Sequence, residues 1–193
     1  MRTAKTVLTV IQERGKQKKP IERVYKLLFN RELYLNAYAK LYPNNGAMTK
    51  GVTDETVDGM SIQKIDRMIE ILREEKYQWK PARREYIKKK NGKKRPLGIP
   101  VWGDKVLQEV MRQILEAYYE PQFSEHSHGF RPNRGCHTAL QEIQVWKGTR
   151  WFIEGDISQY FDTIDHKILL EILARNIHAV SYTHLRAHET LMN

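Results

Sequence analysis

The chain has a single cysteine and no long apolar run. These two features exclude a disulfide within the chain and argue against a membrane-spanning helix. Cys136 cannot form a disulfide within the chain, which fits a reducing compartment. No run of 18 or more apolar residues occurs, so the sequence predicts no membrane-spanning helix. We also expect no membrane partner, although the net charge of the chain would by itself suit an anionic surface. Residues 1–16 are basic, but Thr and Gln interrupt their apolar patch and no small-residue cleavage site follows, so they are not typical of a secretory signal. We therefore expect a cytoplasmic protein.

Acidic residues are scarce relative to basic ones. The 193 residues include 33 Lys and Arg but only 23 Asp and Glu, a formal net charge of +10. Such a surplus favours a polyanionic partner, either nucleic acid or an anionic membrane surface. A hydrophobic content of 40% with 10% aromatics is typical of a globular chain. The length allows one large domain or two small ones.

Apolar periodicity predicts several amphipathic helices. The expected helices span residues 20–41, 62–75 with Ser61 as N-cap, 104–119, 136–147, and 163–176 with Asp162 as N-cap. The apolar face of the 104–119 helix is expected to be core.

Basic residues concentrate between Arg83 and Arg95, where eight basic residues and one acid surround Asn91-Gly92. Asn-Gly between two extended stretches predicts a β-hairpin, because both residues accept the positive φ of a type I′ turn. A cationic hairpin tip would bind phosphates. A solvated charge run or a nuclear-import signal would carry a similar composition.

A loop rich in Gly and Pro presents two further arginines, Arg131 and Arg134. Two arginines on a rigid loop can each bind a phosphate with two parallel hydrogen bonds, although ordinary surface arginines fit the pattern equally well. His126 and His128 of this loop have no cysteine partner, so we expect solvated histidines rather than a zinc site.

An apolar run at residues 151–153 leads to a single carboxylate, Asp156, and predicts a strand at 151–157. An aromatic residue, Phe161, follows ahead of a helix. A strand that ends on a carboxylate and turns into a helix can hold a divalent cation beside substrate phosphates. An aspartate at a strand end also commonly forms a turn or caps a helix.

Three sequence blocks resemble the fingers and palm of group II intron reverse transcriptases, the intron-encoded maturases. The blocks are LYPNNGAMTKGV (41–52), KKNGKKRPLGIP (89–100) with SHGFRPNRGCHTAL (127–140), and WFIEGDISQYFDTIDH (151–166). The resemblance implies an α+β fold: right-hand polymerase fingers and an incomplete palm with a helical N-terminal extension. It implies an N-terminal extension at 1–50, fingers and basic hairpin at 51–150, and the first palm strand and helix at 151–178. A bacterial source is expected.

The resemblance also implies residue roles around the palm. Asp156 matches the catalytic aspartate that holds two Mg2+ ions, and Ile157 the position whose backbone carbonyl binds metal. Phe161 matches the steric gate that excludes a ribose 2′-hydroxyl, while Gln159 and Tyr160 match positions whose amides face the triphosphate.

In the fingers, Lys89 and Arg95 resemble the pair that clamps the incoming deoxynucleoside triphosphate. We assign Lys93, Lys94, Arg131 and Arg134 to nucleic-acid binding. The implied partners are an RNA template, intron RNA, a DNA primer and deoxynucleoside triphosphates. The implied function is RNA-directed DNA synthesis with a maturase role in RNA splicing. A non-catalytic RNA-binding splicing factor, or a retron or CRISPR-associated reverse transcriptase, remains an alternative.

The family's Tyr-x-Asp-Asp turn, which supplies the second metal carboxylates, does not occur in this sequence. We therefore expect a truncated and inactive chain, since two-metal chemistry needs at least two carboxylates. Residues 179–190 (AVSYTHLRAHET) back-translate into a sequencing-library adaptor, which predicts a non-native tail at 179–193.

Overall fold

The computed structural model describes residues 2–88, 92 and 94–178. Its labelled elements, in chain order, are α1 (Ala4–Lys16), β1 (Ile21–Glu22), α2 (Arg31–Leu41), α3 (Ile62–Arg73), β2 (Arg83–Lys88), β3 (Lys94–Ile99), α4 (Trp102–Tyr119), α5 (Cys136–Gln144), α6 (Tyr160–Thr163), α7 (His166–Ala174) and β4 (Ile177–His178). Short 3-10 helices span Val24–Phe29, Val57–Gly59 and Glu120–Gln122. The structure thus mixes helices and sheets, as expected.

Helix α4 lies at the centre of the core. Its apolar positions recur at helical spacing, and Val106, Leu107, Val110 and Ile114 are fully buried. Helices α1 and α2 pack against it, and α3 packs against the 3-10 helix at Val24–Phe29. The observed bounds of α3 and α4 lie within two residues of those predicted.

Helix α1 was not predicted individually, because its apolar residues are interrupted by Thr and Gln. It packs against the C-terminal end of α4 so closely that a Cβ on Gly15 would lie 2.1 Å from the Tyr118 carbonyl oxygen. The Tyr118 hydroxyl donates to the Lys19 carbonyl at 3.1 Å. A glycine at this contact therefore sets the distance between the two helices.

The helix expected over residues 20–41 is wrong as a single element. Arg23 has left-handed backbone angles, φ 55° and ψ 34°, which separate β1 from the 3-10 helix that begins at Val24. Asn30 then caps α2, because its side chain accepts from the Glu32 amide at 3.0 Å. Residues 20–41 therefore form β1, a 3-10 turn and α2 in succession.

The part of the chain that the structure describes forms two sheets of two strands each. Strands β2 and β3 pair antiparallel, with Arg83 opposite Ile99 and Lys88 opposite Lys94. Strands β1 and β4 pair in parallel, with Ile21 opposite Ile177, so the short β4 connects the end of the described chain to the helical core. Ile177 is 2% exposed in this contact.

The strand expected at 151–157 is not formed: these residues have no regular secondary structure. A strand needs a neighbour to receive its backbone hydrogen bonds, and none of the described strands pairs with this segment. The helix expected at 163–176 also differs from expectation and corresponds to α7. It begins at His166, and Asp165 rather than Asp162 is its N-cap, accepting from the Lys167 amide at 2.8 Å.

Among the described residues, no helix is both long enough and apolar enough to cross a membrane.

Candidate nucleic-acid interface

The basic segment forms the hairpin that its sequence predicts. Strands β2 and β3 remain paired up to Lys88 and Lys94, and Gly92 between them has a φ of 77°, which glycine accepts without strain. Lys89 and Lys93, two of the expected phosphate ligands, lie outside the described residues. Their roles therefore stay predictions.

The strand register divides the hairpin into two faces, because residues paired across an antiparallel ladder share a face. The first, which we call the tyrosine face, consists of Arg84, Tyr86 and Lys88 with Gly98, Pro96 and Lys94 opposite them. The second, the isoleucine face, consists of Arg83, Glu85 and Ile87 with Ile99, Leu97 and Arg95 opposite them. Lys94 and Arg95, both expected to bind phosphate, therefore project to opposite sides.

The isoleucine face is turned toward the protein at its base. Ile99 is 7% exposed, and the Arg83 Nε donates to the Lys50 carbonyl at 3.0 Å. Arg83 also forms an ion pair with Glu85 on the same face. The base of the hairpin is thus anchored on this side.

The loop at residues 46–51 is held against the hairpin base and α4. The Lys105 Nζ donates to the Thr49 carbonyl at 3.1 Å, and a Cβ on Gly51 would lie 2.9 Å from the backbone of Val101. Burial lowers the pKa of Lys105, and the nearby Arg83 lowers it further. A single lysine on an amphipathic helix gives no signal in the sequence that would reveal the Lys105 contact, and Arg83 was expected only as part of the basic segment.

Arg131 is not the exposed arginine expected from sequence. Its side chain is 7% exposed, and its Nε and Nη2 both donate to the Glu120 carboxylate, at 3.0 and 2.9 Å. Its Nη1 donates to the carbonyls of Ser124 and Ser127, and the guanidinium lies 5.4 Å from the centre of the Phe123 ring. Acceptors within the protein therefore occupy the N–H groups of this guanidinium. Arg131 holds the loop in place and does not offer a free pair of N–H groups to a phosphate.

Arg134 is partly exposed and donates to the Glu125 carbonyl within the same loop. A contact between Arg134 and a phosphate therefore stays a prediction.

The two loop histidines converge on one carboxylate. His128 Nε2 lies 2.7 Å from Glu142 Oε2, and His126 Nδ1 contacts Oε1 of the same residue. These contacts, that of His128 foremost, lower the pKa of Glu142. His126 is exposed as expected, whereas the His128 side chain is only 14% exposed and also contacts Thr138 at 2.8 Å. The pair thus fastens the 123–135 loop to α5.

Asp156 lies in the irregular segment and is exposed, as is Ile157. Gln159 has a left-handed φ of 51° and precedes α6, whose first residue, Tyr160, is 47% exposed. Phe161 follows in α6, and its side chain lies outside the described part of the structure. The backbone thus turns into a helix directly after the candidate metal ligands.

The described residues do not complete a two-metal centre. Asp156 and the backbone carbonyl of Ile157 are the expected metal ligands, but no group of three His, Cys, Asp or Glu side chains suited to a metal occurs in residues 2–88, 92 and 94–178. Two Mg2+ ions shared with phosphates need at least two carboxylates. These residues match one side of such a site only.

Comparison with known proteins decides the family. The family model for reverse transcriptase (RNA-dependent DNA polymerase) matches residues 87–185, about half of the chain. The chain belongs to this reverse transcriptase family. The match begins inside the hairpin and includes α4, the Arg131 loop and Asp156. A single family model therefore covers all of these regions.

Similar proteins confirm the resemblance to the group II intron branch. The group II intron-encoded protein LtrA of Lactococcus lactis subsp. cremoris is 52% identical over 153 residues, covering 78% of this chain and 26% of that protein. An uncharacterized 91 kDa protein in a cob intron of Schizosaccharomyces pombe is 46% identical over 182 residues, covering 90% and 23%. The nuclear intron maturase 1, mitochondrial, of Arabidopsis thaliana is 39% identical over 77 residues, covering 39% and 11%. The chain thus spans about a quarter or less of these relatives.

The family match ends at residue 185. It therefore overlaps the first residues of the segment 179–193, which was expected to be a non-native tail. That this segment is non-native therefore stays a prediction, and the segment lies outside the described residues.

Proposed function

We propose that this chain supplies the fingers and the beginning of the palm to an RNA-directed DNA polymerase with a maturase role, encoded in a group II intron. The family match carries the proposal, and the exposed cationic hairpin supports it physically. In this proposal residues 1–50 are the N-terminal extension, 51–150 the fingers, and 151–178 the start of the palm.

The partners are an RNA template, intron RNA, a DNA primer and deoxynucleoside triphosphates. Arg95, which lies on the isoleucine face of the hairpin, would neutralise the triphosphate together with Lys89, which is outside the described residues. Gln159 and Tyr160 would direct backbone amides to the same phosphates, and Phe161 would exclude the ribose 2′-hydroxyl. Lys93, Lys94 and Arg134 would contact the nucleic-acid backbone, whereas Arg131 would position the loop that carries Arg134.

Mg2+ is the proposed cofactor. Asp156 and the Ile157 carbonyl would contribute ligands, and the bound ions would supply charge stabilisation at the transferred phosphoryl group. The remaining carboxylates must come from outside the described residues, so we propose that the 193-residue chain alone does not polymerise DNA.

The test is primer extension on an RNA template by a parent protein that carries the complete palm. Asp156→Asn should reduce extension to background, because the carboxylate is proposed to hold both metal ions. The matched control is Asp66→Asn, which removes the exposed carboxylate that pairs with Arg31 and should leave extension within about twofold. Full activity of the Asp156→Asn parent would contradict the assignment.

The same parent also tests the second candidate function. A non-catalytic splicing maturase would bind RNA with ordinary affinity and show no extension even with Asp156 intact.

A further inference from the structure

The tyrosine face of the hairpin has no role in the proposed nucleotide site, since Arg95 lies on the opposite face. Three cationic side chains on this face, Arg84, Lys88 and Lys94, are exposed. None of them forms a salt bridge with an acidic side chain among residues 2–88, 92 and 94–178. The one glutamate of the hairpin, Glu85, pairs with Arg83 on the other face.

The register places two of these cations directly across from each other. Lys88 is opposite Lys94 at the end of the described ladder. Directly opposed like charges destabilise a strand pair, because the Cβ atoms lie only about 5 Å apart. An anion bound between the two ammonium groups would offset this repulsion.

An aromatic ring lies beside the cations. Tyr86 is one pleat repeat, about 6.7 Å, from Arg84 on one side and from Lys88 on the other. Its cross-strand neighbours, Pro96 and Gly98, are small, and the tyrosine is 60% exposed. The ring therefore presents a surface on which a planar group can stack.

We propose that the tyrosine face is a binding site for single-stranded nucleic acid, in which Tyr86 stacks on a base while Arg84, Lys88 and Lys94 contact the flanking phosphates. Exposed aromatics interleaved with cations bind single strands in this manner, whereas a duplex keeps its base faces covered. The proposal rests on the proposed function only in requiring that the parent handle nucleic acid.

The first experiment isolates the stacking contact. Fluorescence anisotropy would compare the 193-residue chain, at nanomolar concentration, on labelled 12-nucleotide oligouridylate, oligothymidylate and an abasic strand of equal length. Tyr86→Ala should weaken binding to both base-containing strands about tenfold and leave binding to the abasic strand unchanged. Tyr86→Phe should stay within about twofold, because it keeps the ring. A loss confined to oligouridylate would mark RNA as the ligand, and a loss on both strands would mark single strands in general.

The second experiment isolates the phosphate contacts. Replacing Arg84, Lys88 and Lys94 with Gln should reduce the slope of log affinity against log salt by about 2, since each contact with a single strand contributes about 0.7. A control variant with Gln at Lys5, Lys18 and Lys26 removes the same charge from exposed positions outside the hairpin and should change the slope by less than about 0.5.

Two results would overturn the inference: full affinity of Tyr86→Ala for the base-containing strands, or equal loss of slope in the two charge variants. Failure here is distinguishable from failure of the proposed function. A parent that extends primers while its tyrosine-face variants bind normally contradicts only this inference.

Discussion

The helical body and the segment that carries Asp156 belong to one chain but differ in packing. In the body, apolar residues of α4 such as Leu107 and Ile114 are fully buried. In the second region, Trp151 is 86% and Ile153 93% exposed, and none of the described side chains of α5, α6 and α7 is fully buried. The body contains its own packing partners, whereas the apolar residues near Asp156 lack covering elements in the described structure.

The largest expected effect is on the free energy of unfolding, when one isoleucine in each region is replaced by alanine. Ile114→Ala should lower the free energy of unfolding by about 2–5 kcal/mol, because it removes buried methyl groups and leaves a cavity. Ile153→Ala should change it by less than about 0.5 kcal/mol, because that side chain is already solvated. Urea unfolding followed by circular dichroism measures both.

A parent protein with the complete palm sharpens this comparison. There, Ile153→Ala should cost about 2 kcal/mol or more, since we expect further strands of the complete palm to pair with residues 151–157 and bury the side chain. An unchanged cost in the parent would show that residues 151–157 are not part of a packed sheet.

A smaller effect is expected at the loop between the two regions. Arg131→Ala removes the charged hydrogen bonds to Glu120 and should destabilise the protein by about 2 kcal/mol, with faster protease cleavage of the 123–135 loop. Arg134→Ala removes one bond to a carbonyl at a partly exposed position and should cost less than about 1 kcal/mol. Equal costs for the two variants would show that Arg131 does not hold the loop.

The smallest effect is a pH dependence in the same loop. The contacts with His128 and His126 lower the pKa of Glu142 below its usual value of 4.5. The stabilisation is therefore fully present above about pH 4.5 and is lost as the pH falls through the lowered, folded-state pKa. Hydrogen exchange at residues 124–135, corrected for the intrinsic rate, should accelerate in that acidic range. Glu142→Gln should remove the acceleration, and a wild-type loop that stays protected would contradict this linkage.

Sequence patterns predicted the elements whose stabilising partners are local or follow a simple period. Helices α3 and α4 follow their apolar periodicity, and the hairpin follows Asn91-Gly92 between extended stretches. The resemblance to group II intron reverse transcriptases, carried by three sequence blocks, agrees with the family match.

The failures share a physical cause, which is dependence on distant contacts or on single backbone angles. The left-handed Arg23 divides the expected 20–41 helix. Arg131 looked like a surface residue because its acceptor, Glu120, stands eleven positions earlier and meets it only after the loop folds. The prediction of a strand at 151–157 was wrong because a strand needs a neighbouring strand to pair with. The apolar pattern of one segment does not show whether that neighbour is present.

We propose that residues 51–150 are the nucleic-acid-binding fingers of a reverse transcriptase and that the described residues hold only part of its metal site. The most direct test is primer extension on an RNA template by the purified 193-residue chain with Mg2+ and deoxynucleoside triphosphates, with binding of the same primer-template measured in parallel. We predict salt-sensitive binding and no product above background, while the complete parent extends the primer under the same conditions. Template-dependent synthesis by the 193-residue chain would contradict the claim.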